Sequence, residues 1–299
     1  MSLVEIAAAL LVALLWGVQF VTSKVGIAAI PPLLFVALRF AAVAVLLLPF
    51  AGRPSRREVG VAALVSVFFG GLGFGLFFAG LRLSPAGLSA VVAQLMTPFT
   101  VLLAWPIIGE RPTTRVVVGL GVAFAGVALA LASTGSVASS VGILLVAGAA
   151  AAQGLGNVLV KRLGPLPPFR LMAWLSLFAA PQLGLASAVL EHGQGAALAT
   201  AGPLAWLSLA YAVLFGAVAG FALWFWLVAR LSLARIAPFA LLQTVFAIVA
   251  GVVVLHEPIT LPLVAGALVC VAGVALTQLR TASVPRPAAL CSDLSERPV

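Results

Sequence analysis

The residues of this chain best suited to bind a small molecule are amides, hydroxyls and aromatic rings that interrupt long apolar runs. Gln94 precedes Thr97 by three residues and Gln153 precedes Asn157 by four, so each pair lies on one face of a helix. Such groups bind by hydrogen bonding and stacking and are poor nucleophiles or bases. The candidate substrate-binding residues are Trp16, Gln19, Phe78, Gln94, Thr97, Gln153, Asn157, Trp224, Gln243 and Thr244.

The composition requires that the apolar runs lie in a membrane. The 299-residue chain is 64% hydrophobic and 8% charged, whereas a soluble domain needs about 25% charged residues to cover its surface. A bilayer-spanning helix needs about 20 apolar residues. We therefore expect an all-α integral membrane protein, embedded in a lipid bilayer, whose ten spans lie at about 3–23, 32–50, 59–81, 86–107, 116–132, 141–160, 169–190, 204–228, 236–255 and 261–279.

The polar residues within the spans allow two interpretations. They line a cavity near the midplane between spans one, four, six and nine, or they form hydrogen bonds between packed helices, worth about 0.6 kcal/mol each. An amide has several groups to satisfy, which favours the cavity. The aromatic stretches around Phe78 and Trp224 are typical of packing or interfacial belts, but their ring faces could also stack on a flat substrate or hold a cation.

Catalytic groups are absent from the spans. None of the seven acidic residues and neither of the two histidines lies in the middle of a span, and no paired carboxylates or His-rich motif occur. We expect no enzyme activity, no metal and no cofactor. Since proton-coupled exporters need a titratable carboxylate at depth, we also expect transport without an obligatory proton.

Five charged residues near or within the spans need separate interpretation. Arg39 lies inside span two with no acidic residue in a span to pair with it, so it either snorkels outward or meets a substrate carboxylate. Lys24 and Lys161 are expected to mark the ends of spans. Glu110 and Glu257 are expected to cap the helices that follow them.

Basic residues predict the orientation, because Lys and Arg accumulate in cytoplasmic loops. They concentrate after the even-numbered spans, which places both termini in the cytoplasm. The net charge of +9 then has a topological role and does not indicate nucleic-acid binding. The proline-rich segment 281–299 is expected to be a disordered cytoplasmic tail. The basic residues that decide the orientation are Arg53, Arg56, Arg57, Arg111, Arg115, Lys161, Arg162, Arg170, Arg230 and Arg235.

An internal repeat organises the chain. A shift of 147 residues superposes the "AGVAL" segment at 125–129 on an identical segment at 272–276, and brings Thr97 onto Thr244 and Glu110 onto Glu257. A shift of 137 residues brings Lys24 onto Lys161, and a shift of 136 residues brings the Pro-Pro pair at 31–32 onto that at 167–168. We predict two five-helix repeats, 1–135 and 136–280. Because five is odd, the second repeat is inverted in the membrane, the geometry of alternating access.

The ordered motifs of the two repeats resemble the EamA-type branch of the drug/metabolite transporter superfamily. They are the "WGVQFVTSK" opening at 16–24, the loops at 110–112 and 257–258, and the Gly-Val pairs at 126–127 and 273–274. The resemblance covers almost the whole chain and implies an inner-membrane exporter of metabolites. One branch of the family exports aromatic amino acids. The chain departs from the family pattern at Gln19, where an Asn is frequent, which leaves the substrate open.

The expected function is therefore export of small metabolites. Amino acids, including aromatic ones, are the favoured substrates, carried by alternating access in a protein that functions as a monomer. A multidrug or lipophilic-cation exporter of the same fold is the alternative, permitted by the aromatic faces but disfavoured because no span holds a carboxylate in its middle. A membrane enzyme lacks catalytic groups, and a structural or channel protein would not need the inverted repeat.

Overall fold

The computed structural model describes residues 1–132, 137–164, 167–231 and 233–278, and within these ranges all regular secondary structure is helical. Nine described helices are long and apolar enough to cross a membrane, and a tenth has a shorter apolar stretch, Leu261–Thr277. The predicted tail, 281–299, lies outside the described residues. The ten spans are Leu3–Ala29, Pro32–Ala51, Arg56–Leu83, Ala86–Ile108, Thr114–Leu131, Val137–Leu163, Pro168–Leu190, Pro203–Arg230, Leu233–Leu255 and Leu261–Gln278.

Several spans begin at residues that satisfy the free N–H groups of a helix N-terminus. Ser2 and Glu5 form a capping box: the Glu5 N–H donates to Ser2 Oγ at 3.3 Å, and the Ser2 N–H donates to Glu5 Oε2 at 2.7 Å. Ser55 and Glu58 form the same motif at the start of span three. Span one continues to Ala29, beyond its predicted end at residue 23, because nothing before the Pro-Pro pair stops it.

One short helix differs from the sequence prediction. The "HGQG" stretch at 192–195 predicts a break, which residues 191–193 form, but the helix Gln194–Thr200 that follows is not predicted. Gly193 turns the chain there with a left-handed φ of 74°. Gln194 Nε2 donates to the carbonyl oxygens of Ser187 and Glu191, both at 2.8 Å. The Gln194 side chain therefore ties the short helix to the C-terminal end of span seven, where the Ser187 carbonyl also accepts the Glu191 N–H at 2.9 Å.

Spans five and ten cross through glycines, and their contacts show the relative direction of the two halves. A Cβ atom on Gly119 would lie 2.8 Å from the carbonyl oxygen of Gly273, and one on Gly266 would lie 2.6 Å from that of Gly126. Residue numbers rise along span five as they fall along span ten, so the spans are antiparallel. Gly119 and Gly266 are equivalent under the 147-residue shift, as are Gly126 and Gly273. Equivalent spans therefore run in opposite directions, as an inverted repeat requires.

Contacts between other spans show the same equivalence of the two halves. A Cβ atom on Gly17 in span one would lie 2.5 Å from Phe246 Cβ in span nine, and one on Gly154 in span six would lie 3.1 Å from Phe99 Cβ in span four. Phe99 and Phe246 are equivalent under the 147-residue shift, and Gly17 and Gly154 under a shift of 137 residues. Each half therefore packs its first helix against the fourth helix of the other half.

Spans three and eight each contain a π-helical segment at equivalent places. These two π segments are Ser66–Phe74 and Ala212–Ala219, and the 147-residue shift overlaps them over most of their length. A π-helix is rare and frequently lies at a functional site. The glycine-rich stretch 70–75 predicts only close helix approach or local bending, so the π geometry is a feature that the sequence did not reveal.

Candidate functional site

The first group of predicted residues lies where span one meets the π segment of span eight. Trp16 Nε1 donates to the carbonyl oxygen of Gly216 at 3.1 Å. The Trp16 ring lies 5.3 Å from the Phe221 ring and 5.6 Å from the Trp224 ring, measured between centroids. Gln19 occupies the space that a Cβ atom on Gly216 would fill. The structure therefore brings Trp16, Gln19 and Trp224 together as one partly exposed surface.

The second group lies where span six meets the π segment of span three. A Cβ atom on Gly73 would lie 2.6 Å from Gln153 Cγ, and one on Gly156 would lie 2.7 Å from Phe69 Cβ. The 137-residue shift relates Trp16 to Gln153, and the 147-residue shift relates Gly73 to Gly220. Trp16 and Gly220 also lie close together, because a Cβ atom on Gly220 would lie 2.6 Å from Trp16 Nε1. The two groups are therefore equivalent half-sites. The position that the Trp16 indole occupies in one half-site is occupied by the Gln153 amide in the other.

Gln94 and Thr244 bind each other and support the packing interpretation for these two positions. Gln94 Nε2 donates to Thr244 Oγ1 at 2.7 Å, and both side chains are buried. The contact joins span four to span nine. The equivalent positions, Leu241 and Thr97, cannot form this bond because Leu241 is apolar. Gln243 and Thr97 are partly exposed, and the carbonyl oxygen of Gln243 lies close to Gly17.

Phe78 is placed in the hydrophobic core. Its side chain is 1% exposed, and its ring lies 5.8 Å from the Phe35 ring and 5.5 Å from the Phe77 ring, between centroids. A ring surrounded on all sides contributes packing energy and has no free face for a ligand. In this conformation Phe78 therefore supports the aromatic core behind the π segment of span three.

A cavity of about 280 Å³ opens between spans four, five and six. Asn157 is the one predicted binding residue in its wall, and Asn157 Nδ2 lies 3.5 Å from Thr100 Oγ1, a long hydrogen bond. The volume is near the lower end of the range for small-molecule pockets. Lys161 and Glu110 form an ion pair at its rim. The other lining residues are Val101, Ala104, Ile108, Arg111, Pro112, Thr113, Val116 and Val158.

Two equivalent ion pairs lie at opposite ends of the helix bundle. Lys24 Nζ lies 3.1 Å from Glu257 Oε1, and Lys161 pairs with Glu110. The 137-residue shift relates the lysines and the 147-residue shift relates the glutamates. The side chains of Lys24 and Glu257 are 25% and 14% exposed, whereas those of Lys161 and Glu110 are 61% and 52% exposed. We call the end with the enclosed Lys24–Glu257 pair the closed end and the end with the exposed Lys161–Glu110 pair the open end.

Glu257 makes the closed end compact and corrects two expectations from the sequence. Its carboxylate accepts the N–H groups of Ala86 at 2.7 Å and Gly87 at 3.2 Å, so Glu257 caps span four rather than the helix that follows it. Lys24 Nζ also donates to the carbonyl oxygen of Ser84 at 2.5 Å. Lys24 lies within span one, which continues to Ala29, and so does not mark the end of that span.

The four residues of the two ion pairs align in the repeat, Lys24 with Lys161 and Glu110 with Glu257. The alignment signals that a lysine–glutamate contact in one half has an equivalent in the other, but it does not show which lysine meets which glutamate. Among the described residues no group of three or more His, Cys, Asp or Glu side chains could hold a metal ion.

Comparison with known proteins decides the family. The model of the EamA-like transporter family matches residues 3–132 and 140–279, that is, once in each half. The chain belongs to the EamA-like transporter family. Membership accounts for the ten apolar helices and the repeated architecture, and makes this EamA-like protein a multi-pass membrane transporter.

Three curated relatives are named as efflux pumps or exporters. A "Probable amino-acid metabolite efflux pump" of Salmonella typhimurium is 32% identical over 89% of this chain and 91% of the relative. The protein of the same name in Escherichia coli is 29% identical over 84% of this chain and 87% of the relative. A "Probable terminal-alkyne amino-acid exporter" of Streptantibioticus cattleyicolor is 33% identical over 66% of this chain and 65% of the relative.

The fold also matches a solved structure. The chain described as "Crystal structure of protein" superposes with a TM-score of 0.62, at 19% identity, over 92% of the EamA-like protein and 96% of that chain. At this identity the match shows the shared fold alone.

Proposed function

We propose that the EamA-like protein exports amino acids and related small metabolites, aromatic amino acids among them, by alternating access. The observation that carries the proposal is the pair of equivalent ion pairs, Lys24–Glu257 and Lys161–Glu110, of which one is enclosed and the other open. In an inverted repeat, exchanging the conformations of the halves exchanges the closed and open ends. The names of the relatives support amino acids as the cargo.

The open end is proposed to face the cytoplasm of a bacterial inner membrane. Arg57 and Arg170, both in loops or helix starts rich in basic residues, contact the carbonyl oxygens of Leu163 and Ala51 at the same end of the bundle as Lys161. Basic residues at this end favour a cytoplasmic location, with both termini on that side. The cavity beside Lys161 and Glu110 is then the entrance for substrate, and the described state is open to the cytoplasm.

The reverse state follows from the repeat symmetry. Glu257 now accepts the first N–H groups of span four, at Ala86 and Gly87. The equivalent contact would place Glu110 on the first turn of span nine, while Glu257 releases span four. Substrate bound between the half-sites around Trp16 and Gln153 would then leave toward the outer face.

The proposed transport needs no obligatory proton. The carboxylates of the described residues lie at helix ends, where each has hydrogen-bond or ionic partners, as for Glu191, which accepts the N–H groups of Leu33 at 2.8 Å and Leu34 at 3.1 Å. A proton-coupled carrier requires a carboxylate in the transport path that gains and loses a proton during the cycle. The Gln, Asn and Trp groups of the half-sites do not titrate near neutral pH.

A counterflow assay tests this function. Purified protein in proteoliposomes loaded with unlabelled phenylalanine or leucine is diluted into trace labelled amino acid, with no ion gradient present. We expect transient accumulation of label, and none in empty vesicles or with a labelled lipophilic cation. A Gln194→Leu variant, changed in the short helix after span seven, serves as a matched control and should behave as the parent. Counterflow of the cation but not of amino acids would contradict the proposal.

A further inference from the structure

Arg39 is a buried charge in span two, and its guanidinium is only partly satisfied. The residue is 3% exposed, and Arg39 Nε donates to the carbonyl oxygen of Ala212 at 3.3 Å. Its Nη1 atom has no hydrogen-bond partner. The guanidinium carbon lies 4.9 Å from the Phe74 ring centroid and 5.4 Å from that of Phe40. Aromatic faces stabilise a cation but leave its N–H groups free to bind an anion.

No described carboxylate pairs with Arg39. Each acidic residue of the described chain lies at a helix end and has a partner there, among them Glu58 with Arg170 and Glu257 with Lys24. An unpaired charge at this depth is costly and marks a functional position by default. The snorkelling alternative, left open by the sequence, does not fit a side chain that is enclosed by spans two, three, seven and eight.

A small crevice meets Arg39 where the two π segments converge. Its walls include Phe69 and Phe74 from span three and Phe221 from span eight, and its volume of about 10 Å³ has room for about one water molecule. Phe74 ends one π segment, and Ala212, which accepts from Arg39, begins the other. Arg39 therefore touches both segments. A change in either would alter the access of a ligand to the guanidinium.

The crevice has one charge although it lies between equivalent spans. Under the shift that aligns the two Pro-Pro pairs, Arg39 corresponds to Leu175, which lines the same crevice. Phe74 and Phe221 are also equivalents and both line it. Among the residues that line this crevice, Arg39 is therefore the single anion-binding group, and aromatic rings from both halves surround it.

We propose that Arg39 anchors the carboxylate of the transported substrate, and that the rings around it contact an apolar or aromatic side chain. The inference rests on the proposed function and adds that the carboxylate is required for recognition. A guanidinium binds a carboxylate through two parallel hydrogen bonds, which an ammonium cannot reproduce. Because the crevice is nearly filled in the described state, substrate reaches Arg39 only when Phe69, Phe74 or Phe221 moves during the cycle.

The first test compares substrates with and without a carboxylate in the counterflow assay. The parent protein should exchange phenylalanine and should not exchange phenylalaninamide or phenethylamine. Arg39→Gln should lower phenylalanine exchange at least about tenfold, and Arg39→Lys should retain part of it. Arg230→Gln is the matched control, because Arg230 also lies over an aromatic ring, 4.2 Å from the centroid of Trp226, but at the exposed end of span eight.

A binding measurement separates the anchor from the function on which it rests. We expect 3-phenylpropionate to raise the melting temperature of the detergent-solubilised parent and its amide to have no effect. Arg39→Gln and Arg39→Lys, each checked for a single gel-filtration peak, should lose most of this shift, whereas Arg230→Gln should keep it. If no amino acid is exchanged but the rise in melting temperature with 3-phenylpropionate depends on Arg39, the proposed export function is wrong and the proposed carboxylate-binding role of Arg39 is supported. If 3-phenylpropionate raised the melting temperature above that with its amide by the same amount in Arg39→Gln and in the parent, the carboxylate-binding role of Arg39 would be wrong.

Discussion

Lys24 and Glu257 meet 3.1 Å apart at one end of the bundle, and their repeat equivalents, Lys161 and Glu110, meet at the other end in a far more exposed setting. The difference lies in what surrounds each pair. Glu257 also accepts two backbone N–H groups at the start of span four, which ties spans one and four to the loop between spans nine and ten. Equivalent residues of the two repeats therefore have unequal local environments, which is what the proposed alternating access requires of a state closed on one side.

Breaking the enclosed pair should open the closed end. Lys24→Met removes an ionic hydrogen bond to Glu257, a type worth about 1.5–3 kcal/mol, so we expect the population of the closed conformation to fall about tenfold or more. Labelling of Ala86→Cys by a membrane-impermeant maleimide added to the outer face should speed up accordingly. Lys161→Met in the same background should change the rate less than about twofold, since exposed pairs contribute about 0–1 kcal/mol. Equal effects of the two substitutions would contradict the assignment of closed and open ends.

The Gln94–Thr244 bond should contribute to stability. Gln94→Leu leaves Thr244 buried without its partner, which costs about 1–3 kcal/mol, and the melting temperature in detergent should fall. The double variant Gln94→Leu with Thr244→Val removes both polar groups and should recover much of the loss. A double variant less stable than either single variant would show that the bond is not the reason for the effect.

The crossing of spans five and ten should tolerate no added side chain. A Cβ atom on Gly126 would meet the backbone of Cys270 and lie 2.8 Å from the carbonyl oxygen of Gly266, and a backbone cannot yield as a side chain can. Gly126→Val should therefore destabilise the protein by about 3 kcal/mol, the upper end for overpacking, and lower the yield of folded protein. Gly121→Val in the same span is the matched control, because no atom lies within 4 Å of its added Cβ. Comparable yields of the two variants would argue against the crossing.

The amides of Gln19, in the first half-site, and of Asn157, in the cavity wall, should matter for transport more than for folding. Gln19→Leu and Asn157→Leu each remove hydrogen-bonding groups from partly exposed positions, so we expect amino-acid exchange to fall about tenfold, as for loss of one good polar contact, while expression and melting temperature stay near those of the parent. Counterflow and thermal unfolding measure the two effects separately. If both variants exchanged substrate at the parent rate, these amides would belong to helix packing.

Transport should be independent of a pH gradient. The half-sites contain amides and indoles, which do not titrate near neutral pH, so an imposed gradient of either sign should leave the initial rate of uptake unchanged once external pH is held constant. A protonophore should have no effect in the same vesicles. Uptake that requires the gradient would rule out the proposed uncoupled mechanism.

The sequence predicted the larger features because they follow from hydropathy and from register. Ten apolar runs required ten spans, and matched polar and glycine residues such as Gly119 and Gly266 indicated the repeat before any contact was known. The antiparallel crossing of spans five and ten agrees with the inversion. Within the site, the sequence predicts that Trp16, Gln19 and Trp224 are candidate binding residues. It does not predict the hydrogen bond from Trp16 to the carbonyl oxygen of Gly216.

The remaining features depend on three-dimensional partners that periodicity cannot supply. Gln94 has the composition of a binding residue, and only its contact with Thr244 shows that it packs. Glu257 precedes a proline, as helix-capping acids often do, yet it caps a helix distant in sequence. The π segments differ from an α-helix by one residue in the spacing of their backbone hydrogen bonds, a change that glycine-rich sequences permit but do not require.

Cross-linking of the two ends tests alternating access most directly. In a Cys270→Ala, Cys291→Ser background, the pair Ala86→Cys with Glu257→Cys probes the end that is closed in the described state, and the equivalent pair, Leu233→Cys with Glu110→Cys, probes the other end. The account predicts that each pair forms a disulfide in membranes, that either disulfide stops exchange until it is reduced, and that a protein carrying all four cysteines forms only one of the two at a time. Simultaneous formation of both disulfides with exchange continuing, or failure of the second pair to form at any stage of turnover, would contradict it.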